Sequence, residues 1–454
     1  MPWPIVTLGN KAILTVLIVV ICILIIDTSI IKIYYLGSSL SSYYLSLVVF
    51  CGISGISIFS QILLLEFVKR KSIEILASRR LHLRAFQVVI ALIQYTLGFI
   101  LIIVIGQMLT SAFYNVFLLI VATCISYGLS SGLMVILAYK LLSWYNSNRN
   151  HIVLSYALAC IFIGSNAVMT LLYVPFFLFN HPSISIPHPG FSSPFVIGSV
   201  LSGILKTGYM ITAVASFTSS WIATALLLRH YSRKLGTLKY WFIICLPLVY
   251  FLMQFQPLIL NLFLLLGQTE PIIFSILYTL IFSLSNPTGG ILFGVAFWFI
   301  ARKLPKESPP REYLIISAIG FVILFSSNQG ITLISAPYPP FGLPSVSFVG
   351  IASYLILAGI YSSAVSVGVD TKLRQSIRNL AINESKLVES LGTAQMQQEI
   401  QNRVLNVIKE QRDELEDQNA IQTSLSYDDV KEYLSEVIDE INLHKDQQKE
   451  EPKR

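Results

Sequence analysis

Charge is scarce in this chain, and the places where it is missing carry the most information. Only 12% of the 454 residues are Asp, Glu, Lys or Arg, against 54% hydrophobic, and mean hydropathy is +0.70. A soluble domain carries about a quarter of its residues charged, so this composition excludes a water-soluble globular chain and calls for lipid as solvent. Lys and Arg are absent altogether from 36–42, 111–113, 180–194, 265–271 and 332–346. Cysteine is nearly as rare: Cys22, Cys51, Cys124, Cys160 and Cys245 all lie in apolar runs, with no CxxC pair. That excludes a disulfide framework and a zinc centre and leaves small packing residues. No GxGxxG or P-loop pattern occurs, and 373–415 holds no histidine to accept a phosphoryl group, which excludes a complete sensor kinase. His181 and His188 share a connector that has no acidic residue, and no Ser, Cys or paired carboxylates form a hydrolase arrangement. No enzyme activity, cofactor or metal is therefore expected. The first apolar run lacks a small-residue cleavage site and continues towards Tyr35, so it reads as a retained span.

What the chain does have is a series of long apolar runs divided by two alternating kinds of connector. One kind carries Lys69, Arg70, Lys71, Arg79, Arg80 and Arg84, then Lys140 and Arg149. It recurs at Arg229, Arg233, Lys234 and Lys239, and again at Arg302, Lys303, Lys306 and Arg311. The other kind is the uncharged set named above. Basic residues near span ends stay on the cytoplasmic side, so the alternation predicts about ten crossings of the cell membrane, with both termini inside. A hydrocarbon core of ~30 Å takes about 20 apolar residues as helix, and lipid offers backbone polar groups no other partner. The expected spans are 12–35, 43–67, 86–110, 114–139, 152–179, 195–228, 240–264, 272–300, 313–331 and 346–369. The fold class is thus all-α, a polytopic transmembrane helix bundle over 1–369.

From Asp370 the charge balance inverts. Nineteen of the 31 basic and six of the 24 acidic residues precede it, which puts +13 on the membrane part and −6 on the tail within a total of +7. The positive part fits orientation and contact with anionic headgroups, so membrane lipid is an expected partner and nucleic acid is not. No proline falls between Pro344 and Pro452, which leaves the tenth span free to continue into a cytoplasmic extension at 370–418. There Leu373, Ile377, Leu380, Leu387, Leu391 and Ala394 follow a 4,3 alternation, with Glu384 in the one polar position. Such a seam predicts a coiled coil, and with it a homo-oligomer joined through the tail. Beyond Gly392 the apolar spacing becomes four, a phase change that alters supercoil winding. Residues 419–454 read as a linker, a short amphipathic helix and a disordered end. That helix, capped by Ser426, presents Val430, Leu434, Val437 and Ile441 on one face to a cytoplasmic protein partner.

Two features of the apolar part invite a functional reading. Asp27 lies ~24 Å along the first helix counted from Lys11, at a depth where a charged Asp costs roughly 2.5–3.5 kcal/mol. It calls for a partner or water: an ion or proton relay, an approach to the interface near Lys32, or a protonated acid. The eighth span is interrupted by Ser285-Asn286-Pro287-Thr288-Gly289-Gly290, where the helix is expected to kink or unwind. Asn286, Pro287, Thr288, Gly289 and Gly290 are ligand or hinge candidates, and Asn328 and Gln329 in the ninth span join them. Broken helices and amides near the midplane are how transporters build solute sites. The same side chains also serve as interhelical hydrogen-bond glue.

A resemblance accompanies the pattern. Tyr361-Ser362-Ser363-Ala364-Val365-Ser366-Val367 and Asp370-Thr371-Lys372-Leu373-Arg374-Gln375-Ser376-Ile377-Arg378 carry it, with Glu384-Ser385-Lys386-Leu387 and Gly392-Thr393-Ala394-Gln395-Met396. Over about 361–410 the chain resembles the ends of large polytopic membrane proteins encoded by ammonia-oxidising archaea. That family brings no assigned activity. The order of last span, coiled coil and effector region is also similar to membrane sensors, here without their catalytic modules. The expected function is a non-enzymatic membrane sensor or scaffold that passes a signal through the last span into the tail. The alternative is a small-solute or ion transporter or channel with its site at the broken eighth span.

Overall fold

The computed structural model describes residues 10–34, 40–76, 81–111, 113–179, 200–229, 236–256, 279–305, 308–335, 339–369 and 386–419, with a few single residues between them. Twelve α-helices and one π-helical segment make up these residues, with no strand among them. They are α1 (Asn10–Tyr34), α2 (Leu40–Leu76), α3 (Leu81–Ser111), α4 (Val116–Asn148), α5 (His151–Phe179), α6 (Val200–Leu228) and α7 (Thr237–Met253). The π segment Thr279–Ser283 then leads into α8 (Ser285–Lys303), α9 (Pro309–Ser327), α10 (Ile331–Ser335), α11 (Leu343–Val369) and α12 (Lys386–Asn419). Eight of the described helical stretches are long and apolar enough to cross a membrane, and α7 and Thr15–Ser29 within α1 are shorter apolar helices. The protein is a multi-pass membrane protein. Eight of the expected spans correspond to the long helices; the first and seventh correspond only to the shorter pieces, and α7 ends at Met253, where Gln254-Phe255 turn out of it.

Local chemistry starts the helices where the sequence permits. Asn115 caps α4, its Oδ1 accepting from Phe117 N (2.9 Å), and Asn150 Oδ1 accepts from Ile152 N (2.9 Å) at the start of α5. Pro309 and Pro310 open α9, where missing N–H groups would have had no partner.

Two sets of three helices, α4–α5–α6 and α8–α9–α11, face each other, and α11 also touches α1, α2 and α3. An aromatic seam joins the two sets. Tyr156 of α5 packs on Phe297 of α8 (5.3 Å), and Phe217 of α6 meets Phe293 of α8 (5.4 Å) and Phe325 of α9 (5.9 Å). Over their most apolar stretch, Pro309–Ile334 and Leu343–Gly368 are 88% and 89% buried, against 39–50% for the other six long helices. α9 and α11 are therefore the centre, screened from lipid by their neighbours.

Small residues permit that centre. A Cβ on Gly359 would stand 2.5 Å from Tyr313 O and 2.7 Å from Ser317 N. One on Gly320 would stand 2.9 Å from Ile356 N. The backbones of α9 and α11 thus approach through a glycine on each helix, the arrangement that drives helix association in lipid. Gly290 and Gly294 do the same between α8 and α9, where added methyl groups would come within 3.1 Å of Val322 O and 2.7 Å of Ala318 O.

The tail departs from the expected arrangement. Leu373, Ile377 and Leu380 lie outside the described residues, as do Val430, Leu434, Val437 and Ile441. Leu387 and Leu391 are described, and both are buried within the single chain, with Val388 and Ala394 beside them. A coiled-coil seam would leave these side chains on the surface for a second copy. Here α12 instead lays its first turns across the ends of α11 and α4. Gly392 marks the crossing: a Cβ there would stand 2.7 Å from Val367 Cβ, and one on Gly368 would meet Gly392 O at 3.2 Å.

Candidate functional site

Three polar assemblies sit inside the apolar bundle. The first is at the broken helix. The π segment gives way at Leu284, and α8 begins at Ser285, so the interruption falls just before Pro287 rather than on it. Pro287 occupies the first turn, where its missing N–H costs nothing. Ser285 Oγ donates to Phe282 O (3.0 Å) and Thr288 Oγ1 to Leu284 O (2.7 Å), which supplies donors to carbonyls at the break. Asn286 is half-buried. The glycine pair behaves differently from a hinge. A Cβ on Gly289 would collide with the ring of Phe217, and one on Gly290 would stand 2.9 Å from Phe325 Cβ, so both are tight packing positions.

The neighbouring α9 breaks at the same level. It ends at Ser327, Asn328 leaves the helix with φ −76° and ψ 63°, and α10 resumes at Ile331. Asn328 Nδ2 donates to Asn166 Oδ1 (2.9 Å), and Asn166 Nδ2 donates to Thr212 Oγ1 (3.2 Å). Gln329 Nε2 donates to Ser283 O (3.2 Å), the last carbonyl of the π segment. The two breaks are thereby tied to each other and to α5 and α6. Asn328 Oδ1 and Ser326 Oγ are buried and have no hydrogen-bond partner among the described residues.

The second assembly surrounds the start of α11. Gly342 precedes that helix with φ +92°, a left-handed conformation that suits glycine and brings no capping side chain. Asp27 of α1 supplies the cap from elsewhere in the chain. Its Oδ1 accepts from Gly342 N (3.0 Å), and its Oδ2 accepts from Ser345 N (3.0 Å) and Ser345 Oγ (2.6 Å). A carboxylate at a helix N-terminus satisfies orphan N–H groups and complements the helix dipole. The buried acid thus has a structural partner in α11. One turn on, Gln61 Nε2 of α2 donates to Ser347 Oγ, and Gln94 Nε2 of α3 donates to Gln61 Oε1 (2.6 Å) and Ser347 O (3.1 Å). Ser126 of α4 donates to Val346 O, and Ser130 shares a hydrogen bond with Ser353 (2.6 Å).

The third assembly lies at the other end of α11. Trp144 Nε1 donates to Gln395 Oε1 (3.1 Å), Asn148 Nδ2 to Ser390 Oγ (3.1 Å) and Gln398 Nε2 to Ser143 Oγ (2.6 Å). The Trp144 indole also stacks on Tyr361 of α11 at 6.2 Å. Four helix ends are joined there into one layer: those of α4, α5, α11 and α12.

Of the sequence candidates, the structure gathers Asn328 and Gln329 with Asn166 at the broken helices and sets Asp27 of α1 against the start of α11. The residues that sequence reading passed over are Gln61, Gln94, Ser126, Ser345 and Ser347. Two glutamines deep in apolar runs were the available signal, since an amide in lipid is seldom left without a partner. No family model matches this chain, nor does any curated protein or solved structure, so its chemistry has to be read from its own residues.

Proposed function

We propose that the protein is a membrane sensor or scaffold without a catalytic module, in which α11 relays events at one membrane face to the tail at the other. The single observation behind this reading is that one buried helix is held at both ends by different parts of the chain. Asp27, Gln61, Gln94 and Ser126 hold its first turns, and α12 packs on its last ones. A packed core of this kind passes on a displacement as a shift between discrete arrangements and does not absorb it by deforming. In this reading the chain crosses the cell membrane about ten times, with α1 and α7 as the two shorter spans and both termini in the cytoplasm. The Asp27 end of α11 then faces out. The tail, beyond the part covered by the bundle, carries exposed Ile400 and Val407 towards a cytoplasmic partner. Spin labels at exposed Asn146 and Asn402 in the full-length protein in nanodiscs report the relation of α12 to α4. Asp27→Asn, which removes the capping charge, is expected to broaden or displace their distance distribution. An unchanged distribution would remove the relay.

The alternative, transport of a small solute, is favoured by the meeting of two broken helices at Ser283 and Asn328–Gln329. Discontinuous helices with amides at their junction are the form such sites take. Its test is uptake of a panel of uncharged polar solutes into proteoliposomes. Asn328→Ala is expected to abolish transport of any solute that the wild-type protein carries, and wild-type vesicles that match protein-free ones for the whole panel would rule this alternative out.

A further inference from the structure

Asp27 holds the start of α11, yet no described residue neutralises it. Its carboxylate is fully buried. Its three partners, Gly342 N, Ser345 N and Ser345 Oγ, are uncharged donors at 2.6–3.0 Å. The helix N-terminus offsets about half a charge, which leaves a residual anion in a low-dielectric interior.

The elements packed against α1 are α2, α9, α10, α11 and the π segment, and among their described residues none brings a cation to this place. Phe50 of α2 meets Phe341 beside the carboxylate, whereas Glu66 and Lys69 lie 16 or more residues further on, at least about 24 Å along α2. Arg311 and Glu312 of α9 stand next to Tyr313, which packs on Gly359, about 21 Å along α11 from Ser345. α10, α11 and the π segment hold no charged residue. On α1 itself Lys32 is five residues on, about 140° around the helix. Cys51 of α2 and Tyr354 of α11 are titratable but uncharged at neutral and acid pH.

A proton removes the residual charge without needing room, and the three partners respond to it unequally. Backbone N–H groups only donate, whereas a serine hydroxyl can turn and accept. A proton on Oδ1 strands Gly342 N. On Oδ2 it is received by Ser345 Oγ, 2.6 Å away, and Ser345 N loses its acceptor. Either way an N–H at the start of α11 is left without its partner.

We propose that Asp27 is a proton-operated switch, and that acidification of the outer aqueous phase is the event the protein relays. One proton from that phase forms an O–H bond on Oδ2, the carboxylate becomes neutral, and the Ser345 hydrogen bond reverses. The first turn of α11 is thereby released. The output of this switch rests on the relay reading, and proton uptake does not. Asp27→Asn imitates the protonated acid, since it has the same shape, no charge, one accepting oxygen and an NH2 that only donates.

The experiment takes the full-length protein in nanodiscs from about pH 7.5 to about pH 5, above the range of ordinary carboxylates near 4. Infrared difference spectra are expected to show the C=O stretch of a protonated carboxyl group in the wild type and not in Asp27→Asn. Asp27 is the only aspartate before Asp370, so isotopic labelling of aspartate carboxyl carbons identifies the band without any variant. Acidification should also move the wild-type distances between labels at Asn146 and Asn402 to those of Asp27→Asn at pH 7.5. The variant's own distances should not change with pH. Absence of an aspartate band from the acidified wild type overturns the switch. So does a band accompanied by unmoved wild-type distances, or a variant that still responds to pH. Displacement of Asp27→Asn at pH 7.5 keeps the relay even where the wild type takes up no proton, so the two failures are told apart.

Discussion

Replacing Asp27 with Ala is expected to lower the stability of the bundle by about 3 kcal/mol, because each buried donor left without an acceptor costs roughly 1–3 kcal/mol. The change strands Gly342 N, Ser345 N and the Ser345 hydroxyl at once. It also takes an anion from a helix N-terminus, a smaller loss of the same sign. The neighbours on α1 provide the control. Thr28 Oγ1 donates to Leu24 O (3.1 Å) and Ser29 Oγ to Ile25 O (2.6 Å), so among the described residues their hydroxyls serve their own helix. Thr28→Ala and Ser29→Ala, buried but stranding no group outside their own helix, should each cost only about 1 kcal/mol. Reversible unfolding in detergent or bicelles, followed by circular dichroism, measures all three. If Asp27→Ala matches Ser29→Ala, Asp27 does not cap α11.

The second large effect is at Gly359. An added methyl group there meets Ser317 Oγ, Tyr313 O and Ser317 N, two of them backbone atoms of α9 that no rotamer change can move aside. Gly359→Ala should force α9 and α11 apart at a cost of about 2–3 kcal/mol, in the range of overpacked cores. The identical substitution at Gly52, where a Cβ meets nothing within 4 Å, should have the opposite sign. Alanine there lowers the conformational freedom of the unfolded segment and raises helix propensity, for a gain of up to about 1 kcal/mol. The pair separates close approach from any general intolerance of glycine replacement. If both variants shift stability in the same direction, the α9–α11 crossing is not as tight as described.

Helical organisation was readable because hydropathy and length are local properties. The expected 86–110 and 152–179 correspond to Leu81–Ser111 and His151–Phe179, and the break expected at 285–290 begins at Leu284. α4 runs nine residues past its expected end at 139, since Trp144 and Asn148 belong to the layer that receives α12. That extension has no hydropathy signal, because its partner is 251 residues away in sequence. The trans cap at Asp27 is hidden for the same reason: neither a lone acid nor a glycine at a helix start declares its counterpart. The tail shows a further limit of pattern reading. Leu387, Leu391 and Ala394 recur with the period of a helix that buries one face, and periodicity is silent about whether a second copy or the chain's own bundle covers that face. The glycine pair at 289–290 was legible as a departure from helix propensity, but only the side chains opposite, Phe217 and Phe325, distinguish tight packing from flexibility.

The distance in sequence between Asp27 and its partners, 315 residues to Gly342, also has a consequence for biogenesis. At roughly 5–20 residues per second of synthesis, the early helices wait on the order of half a minute before their counterpart emerges. Throughout that interval a nascent chain carries an acid, two glutamines and several serines with no lasting mate in the bilayer. Completion of α11 supplies Asp27, Gln61, Gln94 and Ser126 with their partners on that helix together, so a ribosome that stops before residue 343 leaves a product marked by its own unmet polar groups.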